Sequence, residues 1–408
     1  MTTRPLSDRY GRVATDLRVS LTDRCNLRCE YCMPAEGLDW LPDDSVLTDG
    51  EVVRLVRIGV DLLGIREVRF TGGEPLVRRG LVGIVGQVKE HAPDVDLSLT
   101  DHCNLRCTYC MPAEGLPWMA KPQMLTDDEL LRVIGIFVDL GVRQVRLTGG
   151  EPLLRRSLVD VVRGIAALEP RPMIAMTSNG VGLARRAHDL ADAGLDRVNI
   201  SLDSIDREVF ARLTRRDRLQ DVVDGLAAAA GAGLTPVKVN AVAMRGVNDA
   251  DVADLLAWCL ERGYELRFIE QMPLDAQHQW QRDAMVTADE IRERLSTRFT
   301  ITPVSDRGSA PAERYVVDGG PATVGIIASV SAPFCAACDR VRLTADGMVR
   351  NCLFSRGEMD LRGPLRDGAS DRDLVRLIRG EMWRKARGHG IGAPDFTQPA
   401  RPMSSIGG

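Results

Sequence analysis

Nine of the ten cysteines in this 408-residue chain occur in three groups of three. Two groups have the spacing Cys-x3-Cys-x2-Cys, and the third has Cys-x2-Cys-x13-Cys. Clustered thiols are typical of metal sites, whereas a disulfide framework belongs to secreted chains that begin with a signal peptide. No apolar run follows the first charged residues here, so we expect metal-binding thiols in a reducing compartment. The groups are Cys25, Cys29 and Cys32; Cys103, Cys107 and Cys110; and Cys335, Cys338 and Cys352.

Three thiolates suit an iron–sulfur cluster that keeps one iron open. A structural zinc site normally has four protein ligands, and most four-iron clusters have four cysteines. A cluster held by three cysteines would therefore leave one iron free to bind a small molecule. A zinc site completed by a distant residue, or a loop of free thiols, is the alternative. The tenth cysteine, Cys259 in LLAWCLERG, is expected to be a buried apolar residue of a helix.

The first two cysteine groups belong to a longer internal repeat, which we call copy one (residues 17–90) and copy two (residues 95–167). Residues 21–40 and 99–118 are identical at 17 of 20 positions. Each copy continues into a T-x-x-E capping box, which predicts a helix start, and then into a strand and the turn TGGEP. Copy one is too short to close a barrel alone. We infer that two related coding segments were joined in frame.

Beyond copy two, short apolar runs alternate with helical segments. Six strands joined by helical crossovers predict a parallel α/β sheet or partial barrel. We expect a partial duplicate at 1–94, a barrel at 95–270 and a C-terminal domain at 271–408. The predicted strands are Asp96–Leu99, Gln144–Leu147, Met173–Met176, Arg197–Ser201, Val237–Ala243 and Leu266–Ile269.

The overall composition excludes several classes of protein. Hydrophobic residues make up 44% and charged residues 27% of the chain, which is typical of a globular protein. A net charge of −4 provides no basic surface for nucleic acid. No run of apolar residues is long enough to predict a membrane span. We therefore expect a cytoplasmic protein whose anionic ligands are bound by a few local arginines and lysines.

From residue 99 to the end the chain resembles the radical S-adenosylmethionine (SAM) enzymes, in particular the GTP 3′,8-cyclases of molybdenum cofactor biosynthesis, and copy one resembles them a second time. The motifs that carry the resemblance are CNLRCTYCMP, TGGEP, TSNG, NISLD, RFIEQM and FCAACDRVRLTADG. The resemblance implies a partial (β/α)6 barrel with a C-terminal lid domain that carries a second cluster. In this family SAM binds the open iron and is cleaved to a 5′-deoxyadenosyl radical. That radical removes hydrogen from C3′ of GTP, and C3′ then attacks C8.

The resemblance also implies roles for individual residues. Two [4Fe–4S] clusters would be bound by Cys103, Cys107 and Cys110 and by Cys335, Cys338 and Cys352, with Cys25, Cys29 and Cys32 as the alternative to the first group. No side chain is expected to be catalytic beyond the clusters. SAM would contact Tyr109, Gly150, Ser201 and Met272. GTP would contact Arg18, Arg146, Thr177, Lys238, Arg340, Val341 and Arg342, and the C-terminal Gly407-Gly408 resembles a tail that enters the active site.

Two of these residues are unusual on physical grounds alone. Lys238 and Arg146 lie within strands of a predicted parallel sheet, whose residues are normally apolar. An unpaired buried cation is costly, so each should point into a polar cavity and meet an anion. The alternative is that these strands have a solvated face. Arg340 and Arg342, two residues apart on an extended segment, should share a face, and guanidinium groups suit phosphate oxygens.

Both repeat copies have a complete set of cysteines, so the thiols do not decide which copy holds the SAM cluster. Copy two is contiguous with the remaining strands, which favours it as part of the barrel. Arg18 of copy one favours the opposite choice, because it matches a family arginine that contacts GTP, whereas copy two has Asp96 there. A carboxylate at that position would repel a triphosphate. We expect copy two in the barrel, with weakened GTP binding.

The resemblance implies that the product passes to a cyclic pyranopterin monophosphate synthase; a homodimer is compatible with it. Three alternatives stay open at this point. The chain could be an inactive fusion that binds clusters without turnover, a zinc-binding structural module, or a radical SAM enzyme with another substrate.

Overall fold

The chain forms two compact units, Met1–Ala92 and Pro93–Gly408, so copy two and everything after it lie in one unit. The computed structural model describes residues 16–20, 46–63, 67–71, 78, 94–304, 310–335, 338, 340–386, 388–393 and 396–406. None of the helices described is both long enough and apolar enough to span a bilayer.

The first unit contains strand β1 (Asp16–Ser20), helix α1 (Asp49–Leu63) and strand β2 (Glu67–Thr71). Strand β1 pairs in parallel with β2 as a two-stranded sheet. The predicted capping box at the start of α1 is confirmed: the Thr48 amide donates to Glu51 Oε2 at 2.8 Å, and the Glu51 amide donates to Thr48 Oγ1 at 3.3 Å. The copy-one cysteines and the side chain of Arg18 lie outside the described residues.

The second unit is built on six parallel strands in sequence order, and all six predicted strands are confirmed with ends that shift by at most two residues. They are β3 (Asp94–Ser98), β4 (Gln144–Thr148), β5 (Met173–Ser178), β6 (Arg197–Ser201), β7 (Lys238–Ala243) and β8 (Glu265–Glu270).

Helices connect these strands and cover one face of the sheet. The first, α2, begins with the capping box predicted at Thr126 and Glu129. The helical segment between β5 and β6 is interrupted at Arg186, which has φ −126° and whose guanidinium donates to the Leu153 carbonyl at 2.8 Å. The helices are α2 (Asp127–Asp139), α3 (Leu158–Ala166), α4 (Ala187–Asp192), α5 (Arg207–Thr214), α6 (Leu219–Gly231), α7 (Val252–Glu261), α8 (Ala288–Ser296), α9 (Arg362–Arg366), α10 (Asp371–Trp383) and α11 (Met403–Ile406).

The residues after 270 add three strands to each edge of the sheet. β11 pairs in parallel with β8 and continues into β10 and β9, while β12 pairs in parallel with β3 and continues into β13 and β14. Among the described residues the result is an open sheet of 12 strands. These strands are β9 (Ile301–Pro303), β10 (Glu313–Val317), β11 (Thr323–Ile327), β12 (Val341–Leu343), β13 (Met348–Arg350) and β14 (Met359–Asp360).

The alternation of side chains along the strands separates an apolar face from a polar one. In β7 and β8 every second residue is buried among apolar side chains, including Val239 and Phe268. The residues between them are half-buried, and four of the six are polar, namely Lys238, Asn240, Glu265 and Arg267. The helices therefore cover the apolar face, and the polar face is left to line the interior of the partial barrel.

Candidate active site

The copy-two cysteines lie on a loop that follows β3 and is anchored to the end of α5. The Arg106 and Thr108 amides donate to the carbonyls of Thr214 and Leu213 at 3.0 and 2.9 Å. The guanidinium of the next residue, Arg215, donates to the Arg106 carbonyl at 2.9 Å. These contacts fix the loop backbone on both sides of Cys107.

The two glycines of TGGEP allow the turn after β4 to pack directly on this loop. The Gly150 amide donates to the Thr100 carbonyl at 2.6 Å. A Cβ atom at Gly150 would lie 2.2 Å from the His102 carbonyl oxygen, and Gly149 has φ +137°. Only glycine tolerates this close approach and this backbone conformation. Gly150 thus contacts the backbone segment that leads to Cys103, and its contact with SAM stays a prediction.

Glu151 connects the TGGEP turn to the TSNG turn after β5. Its side chain is fully buried and accepts from the Asn179 amide at 2.7 Å and from the Ser178 hydroxyl at 2.9 Å. The Asn179 side chain in turn donates to Asn104 Oδ1 at 2.7 Å and to Cys103 Sγ at 3.8 Å. Burial raises the pKa of Glu151 to about 7, against hydrogen bonds that lower it. This network positions the first cysteine of the group.

Tyr109 connects the same loop to the end of β6. Its hydroxyl donates to Asp203 Oδ2 at 2.8 Å, and Asp203 Oδ1 accepts from the Val242 amide at 2.9 Å. Burial raises the pKa of Asp203 to about 6. Burial, followed by the neighbouring Asp203, also holds the pKa of Tyr109 well above its usual range. Tyr109 therefore has a positioning contact, in addition to the SAM contact that the sequence predicts.

Burial disfavours the thiolate form of two of the three copy-two cysteines, Cys103 and Cys107. Burial raises the pKa of Cys103, and burial followed by Asp203 and the other two cysteines raises that of Cys107 further. Three neighbouring thiols in such surroundings need a positively charged group to become ligands, which fits a site for iron. In the described part of the chain, no group of three His, Cys, Asp or Glu side chains is arranged to hold a single metal ion.

The two remaining predicted SAM contacts lie at strand ends. Ser201 is the last residue of β6 and is half-buried. Met272 follows β8 and packs against a small apolar cluster that includes Leu274, Phe354 and Ile406. The cluster thus brings the end of β8 together with the end of the chain.

Three charged residues face one another across β12, β3 and β4. In register, Arg342 lies opposite Asp96, and Asp96 lies opposite Arg146. Asp96 Oδ2 is 3.0 Å from Arg342 Nη2, and Asp96 Oδ1 is 3.6 Å from Arg146 Nε. The expected anion partner of Arg146 is therefore a carboxylate of the chain itself. Val341, which precedes Arg342, is buried beside Val95, so its side chain belongs to the core.

Further polar residues continue this face across β5 to β8. Lys238 Nζ is 2.7 Å from Glu265 Oε2, and burial lowers its pKa while Glu265 opposes that effect. Asn199 donates to Thr177 Oγ1 at 3.2 Å and accepts from Arg267 Nη2 at 2.9 Å. Burial and then the nearby Arg146 lower the pKa of Arg267 to about 9. The interior face is therefore polar and rich in cations.

The C-terminal cysteine group lies in cationic surroundings. The Lys385 ammonium donates to Cys338 Sγ at 3.5 Å and to the Arg340 carbonyl at 2.8 Å. Burial acts to raise the pKa of Cys338, but Lys385, Arg340 and Arg342 together bring it below the usual value. Arg340 stacks on the Phe334 ring at 4.8 Å.

The other two thiols of that group differ in their surroundings. Burial raises the pKa of Cys335. A hydrogen bond with the His389 backbone lowers this pKa, whereas the neighbouring Cys352 and Cys338 raise it. Cys352 packs against the same apolar cluster as Met272. The C-terminal segment reaches this cluster as well: Ile406 is fully buried there, and Arg401 is 2.7 Å from Asp346. Gly407 and Gly408 lie outside the described residues.

Sequence reasoning missed four residues of this site: Glu151, Asp203, Arg267 and Lys385. The first three stand within motifs that the resemblance already used, TGGEP, NISLD and RFIEQM. A buried carboxylate or guanidinium in a strand-end motif is itself a signal of function. Lys385 stands in no such motif, and nothing in the sequence pairs it with Cys338. The prediction of Cys259 as a buried helical residue is confirmed, and burial raises its pKa to about 12.

Comparison with known proteins gives matches along the whole chain. The Radical SAM superfamily model matches residues 19–99 and 97–259, and the Molybdenum Cofactor Synthesis C model matches residues 264–391. A GTP 3′,8-cyclase of Streptomyces coelicolor is 60% identical over 331 residues, which cover 80% of this chain and 96% of that protein. A GTP 3′,8-cyclase of Mycobacterium sp. (strain KMS) is 52% identical over 408 residues, which cover 100% of this chain and 95% of that protein.

A solved structure supports the fold alone. Streptococcus suis SuiB superimposes with a TM-score of 0.52 at 13% identity, covering 78% of each chain. An open α/β sheet of the radical SAM type is compatible with a partial barrel.

Proposed function

This chain belongs to the radical SAM superfamily and, within it, to the GTP 3′,8-cyclases, and on that premise we propose how its residues carry out the reaction. It is an enzyme of the first step of molybdenum cofactor biosynthesis, which converts GTP to (8S)-3′,8-cyclo-7,8-dihydroguanosine 5′-triphosphate. SAM and an iron–sulfur cluster are its cofactors.

We propose that the copy-two cysteines, Cys103, Cys107 and Cys110, bind the SAM cluster. The observation that carries this proposal is the position of their loop, which follows the carboxyl end of β3 in the large sheet. The loop is held by hydrogen bonds from α5 and, through Glu151 and Asn179, from the turn after β5. Active sites of parallel α/β folds lie at these carboxyl ends of the strands.

When bound, the cluster and SAM supply the 5′-deoxyadenosyl radical that removes hydrogen from C3′ of GTP. The chain contributes orientation and the exclusion of water. Tyr109, held by Asp203 at 2.8 Å, fixes one side of the cofactor pocket. Gly150, Ser201 and Met272 stand at the ends of β4, β6 and β8, where SAM would lie.

We propose that GTP binds across the cationic interior face. Arg146, Lys238 and Arg342 come from three different strands, and Thr177 stands between them on β5. Arg267 adds a cation that the sequence did not predict. Guanidinium groups bind phosphate oxygens through paired hydrogen bonds, and an enclosed site strengthens that attraction. Arg340, stacked on Phe334 and close to Arg342, extends the cationic surroundings toward the second cysteine group.

We further propose that Cys335, Cys338 and Cys352 bind a second four-iron cluster. Lys385 supports this assignment, because its ammonium favours the thiolate form of Cys338 that a metal requires. Such a cluster would supply an open iron for binding GTP, and its ligand Cys338 lies near Arg340 and Arg342. Passage of the product to a cyclic pyranopterin monophosphate synthase, a cytoplasmic location and a homodimer belong to the same proposal.

The proposal is tested with anaerobically reconstituted full-length protein supplied with SAM, GTP and a reductant. We expect 5′-deoxyadenosine and the 3′,8-cyclo nucleotide in equal amounts. Formation of 5′-deoxyadenosine without the cyclised nucleotide would identify a protein that binds clusters but does not turn GTP over. Zinc without acid-labile sulfide would identify a zinc module instead.

A further inference from the structure

Asp96 occupies the centre of the cationic face that the proposed function assigns to GTP. Its side chain is only 7% exposed, and the residue lies on β3, between Arg342 of β12 and Arg146 of β4. It forms ion pairs with both arginines, at 3.0 Å to Arg342 and 3.6 Å to Arg146. Two arginines that would bind phosphate are thus already in contact with an internal anion.

These contacts leave hydrogen-bonding capacity unused. Among the described residues, the buried atoms without a hydrogen-bond partner include Asp96 Oδ1, Arg146 Nε, Arg342 Nε and Arg267 Nε. Buried polar atoms are normally paired, and each of the three unpaired guanidinium nitrogens could donate to an added anion. One carboxylate does not satisfy three arginines, so the face can bind a further anion.

Copy one offers a natural contrast within the same chain. Strands β1 and β2 pair in the same register as β3 and β4, with Arg18 opposite Arg69 where copy two has Asp96 opposite Arg146. Opposite charges across a strand pair stabilise it, whereas like charges oppose it. Asp96 therefore stabilises the sheet around Arg146 in the absence of ligand. It does so by pairing with the same guanidinium groups that an incoming triphosphate would need.

We propose that Asp96 is an affinity-setting residue that competes with the triphosphate of GTP for Arg342 and Arg146. GTP must either displace the carboxylate from both arginines or bind beside it, and each route weakens binding. The residue thus acts as a built-in competitor in copy two. This inference rests on the proposed function, because it takes the interior face as the GTP site.

The test measures equilibrium binding to anaerobically reconstituted full-length protein. Asp96→Asn keeps the side-chain shape and removes the charge, so we expect it to bind GTP about tenfold more tightly than the wild type. The affinity for inorganic tripolyphosphate should rise by the same factor, and the affinity for guanosine should not change. Asp249→Asn is the matched control, since Asp249 is a buried carboxylate paired with Arg294 at 2.6 Å outside this face. A gain below about threefold for GTP overturns the proposal.

Loss of a buried carboxylate between arginines also tends to destabilise the fold. If Asp96→Asn unfolds, its refolding on addition of tripolyphosphate supports the proposal, because the added anion replaces the lost one. Failure to refold at saturating tripolyphosphate overturns it, because Asp96 is then purely structural. Turnover by the wild type separates the two claims. If the wild type cyclises GTP and Asp96→Asn shows no gain in GTP affinity, only this inference fails. If Asp96→Asn shows a gain in tripolyphosphate affinity but the wild type does not cyclise GTP, only the proposed function fails.

Discussion

The two copies of the repeat are identical at 17 of 20 positions around their cysteines and have different surroundings. In copy two, β3 lies between β12 and β4 in the large sheet, whereas in copy one β1 pairs with β2 in a two-stranded sheet. Both copies retain the same capping box at the following helix. Local sequence therefore specifies the strand and the helix start in each copy, but it does not specify the sheet that the strand joins.

The difference shows where the positioning of a cysteine loop comes from. The TGGEP turn within the repeat contacts the copy-two loop, but four further groups that hold it follow the repeat in sequence: Thr214, Arg215, Asn179 and Asp203. The motifs TSNG and NISLD, which supply two of them, occur once in the chain. We therefore propose that the copy-two cysteines form a site because strands β5 and β6 provide the end turns that contact their loop.

Paired substitutions at equivalent positions test this difference, and the largest expected effect is at Gly150. Gly150→Ala places a methyl group 2.2 Å from the His102 carbonyl oxygen, so the loop or the turn must move. We expect the free energy of unfolding of the second unit to fall by more than about 4 kcal/mol, with loss of SAM cleavage. Gly73→Ala is the copy-one control and should preserve cleavage. Thermal unfolding and a cleavage assay check both; equal effects in the two variants would contradict the account.

A smaller, pH-dependent effect is expected at Glu151. Its folded-state pKa is raised from 4.5 to about 7 by burial, so the folded state keeps the proton while the unfolded state loses it. Wild-type stability should therefore fall, relative to Glu151→Gln, as pH rises from about 4.5 to 7, by roughly 3 kcal/mol, and stay lower above pH 7. Urea unfolding at pH 5 and pH 8 measures this difference. Glu74→Gln, its copy-one counterpart, should show no such dependence, and a pH-independent difference at Glu151 would refute the assignment.

The smallest of the three effects is expected at Tyr109. Tyr109→Phe removes the hydroxyl that donates to Asp203 and leaves a buried carboxylate oxygen unpaired. We expect a loss of about 1–2 kcal/mol in the free energy of unfolding, together with a further rise in the pKa of Asp203. Tyr31→Phe in copy one serves as the control. Denaturant unfolding of both variants checks the difference, and an unchanged stability of Tyr109→Phe would show that the hydrogen bond contributes nothing.

The sequence predicts the fold through its periodicity and the site through its motifs. The six parallel strands follow from short apolar runs separated by helical segments, because that alternation is typical of a parallel α/β sheet. The added strands on both edges could not be predicted this way. Strands such as Val341–Leu343 are three residues long, and their pairing with β3 depends on tertiary packing rather than on a local pattern.

The predicted substrate residues Arg146, Lys238 and Arg342 do lie on strands of one sheet, but their partners were not predictable. Spacing along the chain cannot show that Asp96 lies between two arginines, because register across β12, β3 and β4 decides it. Lys385 beside Cys338 is a contact between residues 47 apart. Such pairs arise only when the elements have packed.

The most direct test of the central claim, that copy two holds the SAM cluster, compares Cys103→Ser with Cys25→Ser after anaerobic reconstitution. Iron content and reductive formation of 5′-deoxyadenosine are measured in both variants. We predict that Cys103→Ser loses about four iron atoms per chain and all cleavage of SAM, whereas Cys25→Ser keeps the wild-type iron content and activity. Loss of cleavage in Cys25→Ser with activity retained in Cys103→Ser would contradict the account.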